Sequence, residues 1–220
     1  MLTVLEAIQQ RRSIRKYVSD DVPEKLIEQM LEAARLSPSG GNAQPWRFVV
    51  VRDAEVRQEI CKIRSNQKFV MEAPVTIVAF ADLDRYRQQA RKNKWKQLVE
   101  DGIADTLSGD LAKAEFWDAS GERPDPPRDR LVSSAISNTF IAIEHLLLMA
   151  VALGLGTCWL GSNDDARLNQ LFGLPENLVS AGIITVGYPA GKIPPQRPRI
   201  SMEQMVLKPQ VRLPAGAASR

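Results

Sequence analysis

Cysteine and histidine are nearly absent. Cys61 and Cys158 stand apart with no Cys-x-x-Cys pair, and His145 is the single histidine. That excludes a disulfide scaffold, a cysteine-built zinc site and any centre needing two imidazoles. It also fits a reducing compartment, so the expected location is the cytoplasm. Aromatic residues are scarce, at 6%. Neither sign of charge is in large excess: 29 Lys and Arg against 26 Asp and Glu leave a net charge of +3. That falls short of a nucleic-acid-binding domain, and no nucleic-acid partner is expected. The longest apolar run, IAIEHLLLMAVALGLG, is interrupted by Glu144 and His145. It reads as a buried helix, so no membrane partner is expected. The start, MLTVLEAIQQ, is acidic and amphipathic, without signal or transit character.

What is present describes an ordinary globular chain. Its 220 residues, 44% hydrophobic and 25% charged, suffice for one domain with its own core. Thr3 and Glu6 form a capping box ahead of Val4, Leu5 and Ile8. VPEKLIEQMLEAARL carries a helical apolar stripe, with Pro23 near its first turn. SPSGGNAQP is a breaker-rich loop leading into the strand WRFVVV. DAEVRQEICKI is predicted to be a short helix, and APVTIVAF a strand buried on both faces. Residues 81–130 are charged, carry Trp95, Phe116 and Trp117, and end in a proline-rich linker. They read either as helical pieces forming an insertion or lid, or as a solvated excursion. A long apolar helix follows, closed by Gly154 and Gly156, then strand TCWLGS, helix DDARLNQLFGLP and buried strand SAGIITVGYP. Residues 209–220 are small and polar, a flexible tail. Helices dominate and the strands come irregularly, which predicts α+β or mixed α/β and not a regular doubly wound sheet.

The densest chemistry is in QQRRSIRKYVSDDVP, where Arg11, Arg12, Arg15 and Lys16 crowd around Ser13. Guanidinium forks match phosphate oxygens and stay charged at any working pH. The plainer reading is a solvated helix C-terminus, where cations favour the macrodipole. Two further stretches supply similar chemistry. SPSGGNAQPWRF offers two glycines for close backbone approach and short polar groups at Ser37, Ser39, Asn42 and Gln44. GYPAGKIPPQRPRI places Arg197 and Arg199 two residues apart, on one side of an extended chain.

Together RRSIRKY, LSPSGGNAQPWRFVVV, GLGTCWLGS and GYPAGKIPPQRPRISMEQMV resemble, in order and spacing, the nitroreductase family of FMN-dependent flavoproteins. The likeness covers about residues 2–80 and 131–208. It implies an α+β fold with a mixed sheet flanked by helices and a helical insertion, one FMN-binding domain over 1–208, an intertwined homodimer, and flavins held between both chains. It assigns Arg11, Arg12, Ser13 and Arg15 to the phosphate, ribityl chain and pyrimidine edge. Arg15 would stand near N1 and O2, where negative charge gathers on reduction. Pro38, Ser39 and Asn42 match the segment that reaches the flavin from the partner chain. Asn66 matches a pyrimidine-edge position, with Lys68 near it. Leu160 and Gly161 would offer backbone groups toward N5 and O4; some members carry Glu where Gly161 stands. Arg197 and Arg199 match a second phosphate-contacting pair. Trp46 is expected to pack.

The implied activity is hydride transfer from NADH or NADPH through flavin N5 to a nitroaromatic, quinone or similar acceptor, in a ping-pong cycle. No side chain is assigned as a catalytic acid or base, and no metal is expected. Trp95, Phe116 and Trp117 are candidate substrate contacts, or simply pack the insertion. Lys92, Lys94 and Lys96 read as a solvated helix face or as an attractor for an anionic substrate or nucleotide phosphate. Reductive dehalogenation, FMN destruction and a non-catalytic FMN-binding redox sensor remain as alternatives.

Overall fold

A computed structural model describes residues 2–113, 124–161 and 164–207. Helix α1, Val4–Gln10, starts at the capping box: the Thr3 side chain accepts from Glu6 N, and the Glu6 carboxylate accepts from Thr3 N. Helix α2, Glu24–Arg35, follows Pro23 and buries Ile27, Met30 and Ala34. Strand β1, Trp46–Val51, leads to α3, Ala54–Ile63, whose N-cap Asp53 accepts from Glu55 N and Val56 N. A short α4, Phe69–Glu72, precedes β2, Val75–Asp82. The strand therefore runs into the first two residues of the stretch read as an insertion. Helix α5, Gln88–Glu100, and 3-10 turns at Leu83–Tyr86, Ala104–Thr106 and Gly109–Ala112 make up the helical pieces described there. Then come α6, Arg128–Ala152; β3, Gly156–Leu160; α7, Asp165–Phe172; β4, Leu178–Gly187; and α8, Met202–Met205. The 209–220 tail lies outside the described residues.

The four strands run in the order β1-β2-β4-β3, each antiparallel to its neighbour. The sheet's mixed character comes from a single parallel bridge, Ser13 with Thr157, that adds the arginine segment beside β3. Both sheet faces are covered, so β2 is apolar at nearly every position and not at alternate ones. Val75, Ile77 and Ala79 face α2 and α6, with Ile184 and Val186 of β4. Val78 and Phe80 face the other layer, which holds Ile60 and Cys61 of α3, Val70 of α4 and Leu168 of α7. Trp46 is buried in the first of these clusters, as expected of a packing residue. Helix α6 is long and apolar enough to cross a bilayer by composition. Here Ala142, Leu146 and Ala150 pack in the core.

This layering makes a direct prediction. Ile77 is fully buried, so Ile77→Ala should lower unfolding free energy by about 2–5 kcal/mol. Val99, on the exposed side of α5, should change it by less than about 0.5 kcal/mol when cut to Ala. Urea unfolding at fixed protein concentration checks both.

Candidate functional site

The arginine segment is held by backbone, not by its side chains. Ile14 N donates to Thr157 O at 2.8 Å, Val18 N to Tyr188 O at 3.0 Å, and Ala190 N to Lys16 O at 2.9 Å. A second bridge joins Tyr17 to Pro189. Residues 13–18 are thus stitched between β3 and the chain leaving β4. Tyr17 locks the seam from inside: its hydroxyl donates to Ile14 O at 2.6 Å and lies 2.7 Å from Thr185 Oγ1. Gly156 permits the close approach, because a Cβ there would come within 2.7 Å of Ile14 Cγ1.

This docking gathers several of the expected residues. The Ser13 hydroxyl bonds the buried Cys158 thiol, and Arg15 and Arg11 act on that thiol electrostatically. Burial is the larger effect and holds the thiol above its ordinary pKa, so it stays protonated. The Arg15 guanidinium stands 5.7 Å from the centre of the Phe69 ring, a cation–π contact. Asn66 lies three residues before Phe69, exposed, in a left-handed turn with φ 56°. Arg15 and the Asn66 turn therefore meet the same end of the sheet.

Two cavities flank Ser13. One, of about 390 Å³, runs from Arg11 and Ser13 to Phe140 and Glu144 of α6 and Trp159 of β3. The other, of about 420 Å³, is lined by Arg15, Lys16, Lys192 and Ile193. Both volumes suit a small ligand. The one recorded ion pair of the segment, among the described residues, is Arg11 Nε to Glu144 at 3.7 Å. Surplus positive charge of this kind, beside a hydroxyl, fits a phosphate ester.

Other expected residues are placed differently. Arg12 turns back on α1: its Nη1 donates to Gln9 O at 2.6 Å and Arg11 O at 2.8 Å, capping the helix end. Arg197 and Arg199 lie beyond the β4 exit, exposed, and line neither cavity at Ser13. Arg199 Nη1 bonds its own neighbour, Arg197 O, at 3.0 Å. Leu160 is buried in the core and Gly161 half-buried; a Cβ on Gly161 would meet the Trp159 ring at 2.6 Å. Trp95 sits in α5, while Phe116 and Trp117 lie outside the described residues.

The Pro38–Asn42 loop lines neither of the two cavities at Ser13. It takes three left-handed residues in four: Gly41 at φ 53°, Asn42 at 54° and Gln44 at 49°. Such backbone persists only where its surroundings over-determine it. Asn138 Oδ1 of α6 accepts from Gly40 N at 2.8 Å, and His145 Nδ1 pairs with the buried Ser37 hydroxyl at 2.7 Å. Gln44 N donates to Ser39 Oγ at 2.9 Å, and Arg85 Nε to Ala43 O at 2.7 Å. The sequence alone singles out neither Asn138 nor a partner for His145. Their spacing of seven, two helical turns on one face, was the available signal. Nor did it find Glu144 or the edge-on contact of Phe140 with Trp159, ring centres 5.6 Å apart.

A family model described as the nitroreductase family matches residues 8–188. A protein of Thermus thermophilus named NADH dehydrogenase is 33% identical over 218 residues, covering 94% of this chain and 96% of its own. A protein of Bacillus subtilis named FMN reductase [NAD(P)H] is 25% identical, with 92% and 72% covered. A structure from Exiguobacterium sibiricum, described as a nitroreductase in complex with FMN, superposes with a TM-score of 0.75 at 23% identity, covering 94% of this chain and 97% of that one.

The seam has a pH signature. Burial, partly offset by the Thr185 bond, pushes the Tyr17 phenol well above its usual 10.0. On unfolding the phenol would ionise near pH 10 while the folded one keeps its proton. Stability is therefore full below about pH 10 and falls as pH rises above it. Tyr17→Phe should lower stability at neutral pH by about 1 kcal/mol and flatten the alkaline fall. Some slope remains from Tyr86, which burial pushes up to about 12. Urea unfolding between about pH 8 and pH 11 reads both effects.

Proposed function

This chain belongs to the nitroreductase family, and we propose on that footing that it is an FMN-dependent NAD(P)H oxidoreductase acting on a nitroaromatic, quinone or similar conjugated acceptor. The observation that carries the reading is the docked arginine segment, which sets Arg11, Ser13 and Arg15 along one wall beside β3. When bound, FMN supplies the centre that takes hydride from NADH or NADPH and returns it to the acceptor, in a ping-pong order.

The chain's own residues bind and orient. Arg11 and Ser13 hold the phosphate end of the cofactor, with charge-assisted bonds that lysine-like point charges match less well. Arg15, fixed over Phe69, presents a permanent cation to the pyrimidine edge and so favours the reduced state. Asn66 serves the same edge from its turn. Leu160 and Gly161 face the central ring through backbone groups, and the absence of a side chain at Gly161 leaves room for the Trp159 ring. Arg12 contributes by fixing the end of α1. No residue of the set is assigned as a proton donor.

The active form is a homodimer with shared sites. Val4, Leu5 and Ile8 of α1 leave an apolar face exposed, as do Phe140 and Ile141 of α6. Ile200, Met202, Met205 and Leu207 of the exit segment do the same. The Pro38–Asn42 loop and the exposed Arg197 and Arg199 then complete a flavin site with residues of the second protomer. The unpaired, buried Cys61 and Cys158 suit a reducing cytoplasm.

The purified protein should show flavin visible absorbance, bleached anaerobically by NADH or NADPH and restored by a quinone. Flavin that neither nucleotide reduces would overturn the reductase reading. Replacing Arg197 and Arg199 together by Ala should raise the FMN dissociation constant at least about tenfold. An unchanged constant would remove both from the site.

A further inference from the structure

A cavity bordering the Pro38–Asn42 loop lies apart from the arginine segment. It measures about 680 Å³ and lies between Gly40 and Gly41, the start of α5 and the start of α6. Three cations line it: Arg85, Lys94 and Arg130. Lys94 Nζ donates to Gly40 O at 3.1 Å and rests against Gly41, where an added Cβ would lie 2.1 Å away. Arg85 spends its Nε on Ala43 O. Among the described residues, no ion pair engages Arg85 or the side chain of Arg130.

The one carboxylate on the wall among the described residues, Asp125, is already engaged. It accepts from Arg87 Nη1 at 2.9 Å and from Gln88 N at 2.9 Å. Tyr86 also lines this cavity, and its buried hydroxyl oxygen has no hydrogen-bond partner among the described residues. Burial holds that phenol in its protonated form, so it is a donor awaiting an acceptor. Low-dielectric walls with surplus charge of one sign focus the field on a ligand of the opposite sign.

We propose that this cavity binds an anionic oxygen group, carboxylate or phosphate, of a substrate, and holds it beside the loop that reaches the flavin. The inference rests on the flavin-reductase reading and adds a substrate class to it. Arg130, Lys94 and the Tyr86 hydroxyl take the anion. Arg85 serves mainly to hold the loop. An acceptor carrying a carboxylate and NADPH with its 2′-phosphate present the same chemistry to these groups.

The test begins with the FMN-loaded protein at low salt, titrated calorimetrically with benzoate and with benzamide. Benzoate should bind more tightly. The Lys94→Gln/Arg130→Gln double variant keeps a donor toward Gly40 O. It should weaken benzoate at least about tenfold and benzamide less than about twofold. The variant-to-wild-type ratio of kcat/KM should fall likewise for 4-nitrobenzoate and stay near one for its methyl ester. High salt should shrink the benzoate difference. If the variant instead slows anaerobic flavin reduction by NADPH but not by NADH, the anion is the nucleotide's phosphate and the site stands. Charge-blind binding and turnover, in a protein whose flavin is still reduced, overturn this inference alone. A protein that takes up no FMN overturns the functional reading and this inference with it.

Discussion

A short backbone seam organises the whole molecule. Residues 11–18 carry four cations, Arg11, Arg12, Arg15 and Lys16, and like charges in that span repel. The hydrogen bonds to Thr157, Tyr188 and Ala190 hold the segment in place, and Tyr17 and Gly156 allow it to lie close. Each such bond contributes about 1 kcal/mol net. The consequence is geometric. Arg11 and Arg15 point from a rigid edge, and the chemistry they can do follows from where β3 and β4 put them.

Helix α6 is the second organiser. One face enters the core beneath β2 and β4, and another carries Asn138 and His145 to the strained loop at 37–44. Its Phe140 and Glu144 also border the cavity at Arg11. A single 25-residue rod thus links the arginine wall to the loop, and both to an exposed apolar face. Within one chain the wall and the loop border different cavities. Joining them in a dimer would make the cofactor site dependent on association, with binding and dimer stability linked by mass action.

Much of this was legible from local rules. The capping box at Thr3, the stripe of α2, the Asp53 cap and the doubly buried β2 each follow from short-range pattern. The arginine motif and the strand beside it were legible as a family likeness. What escaped depends on distant partners. Arg12 looked equivalent to Arg11 and Arg15, yet only the folded segment shows its fork turned onto the carbonyls of α1. Arg197 and Arg199 were expected side by side on an extended chain. Pro194, Pro195 and Pro198 supply no amide donor for strand pairing, and the Arg199 side chain bonds Arg197 O. The left-handed Asn42 and Gln44 were hidden because the loop around them is held in part by distant side chains, Asn138 on Gly40 and Arg85 on Ala43, besides Ser39 close by.

The central claim is that docking of the arginine segment on β3 creates the cofactor wall. The most direct measurement is an FMN titration of Gly156→Ala, whose added methyl meets the buried Ile14 and shifts the segment without removing any charge. The account predicts a dissociation constant raised at least about tenfold, in a protein that still unfolds cooperatively. A folded Gly156→Ala protein that binds FMN as tightly as the wild type would contradict it.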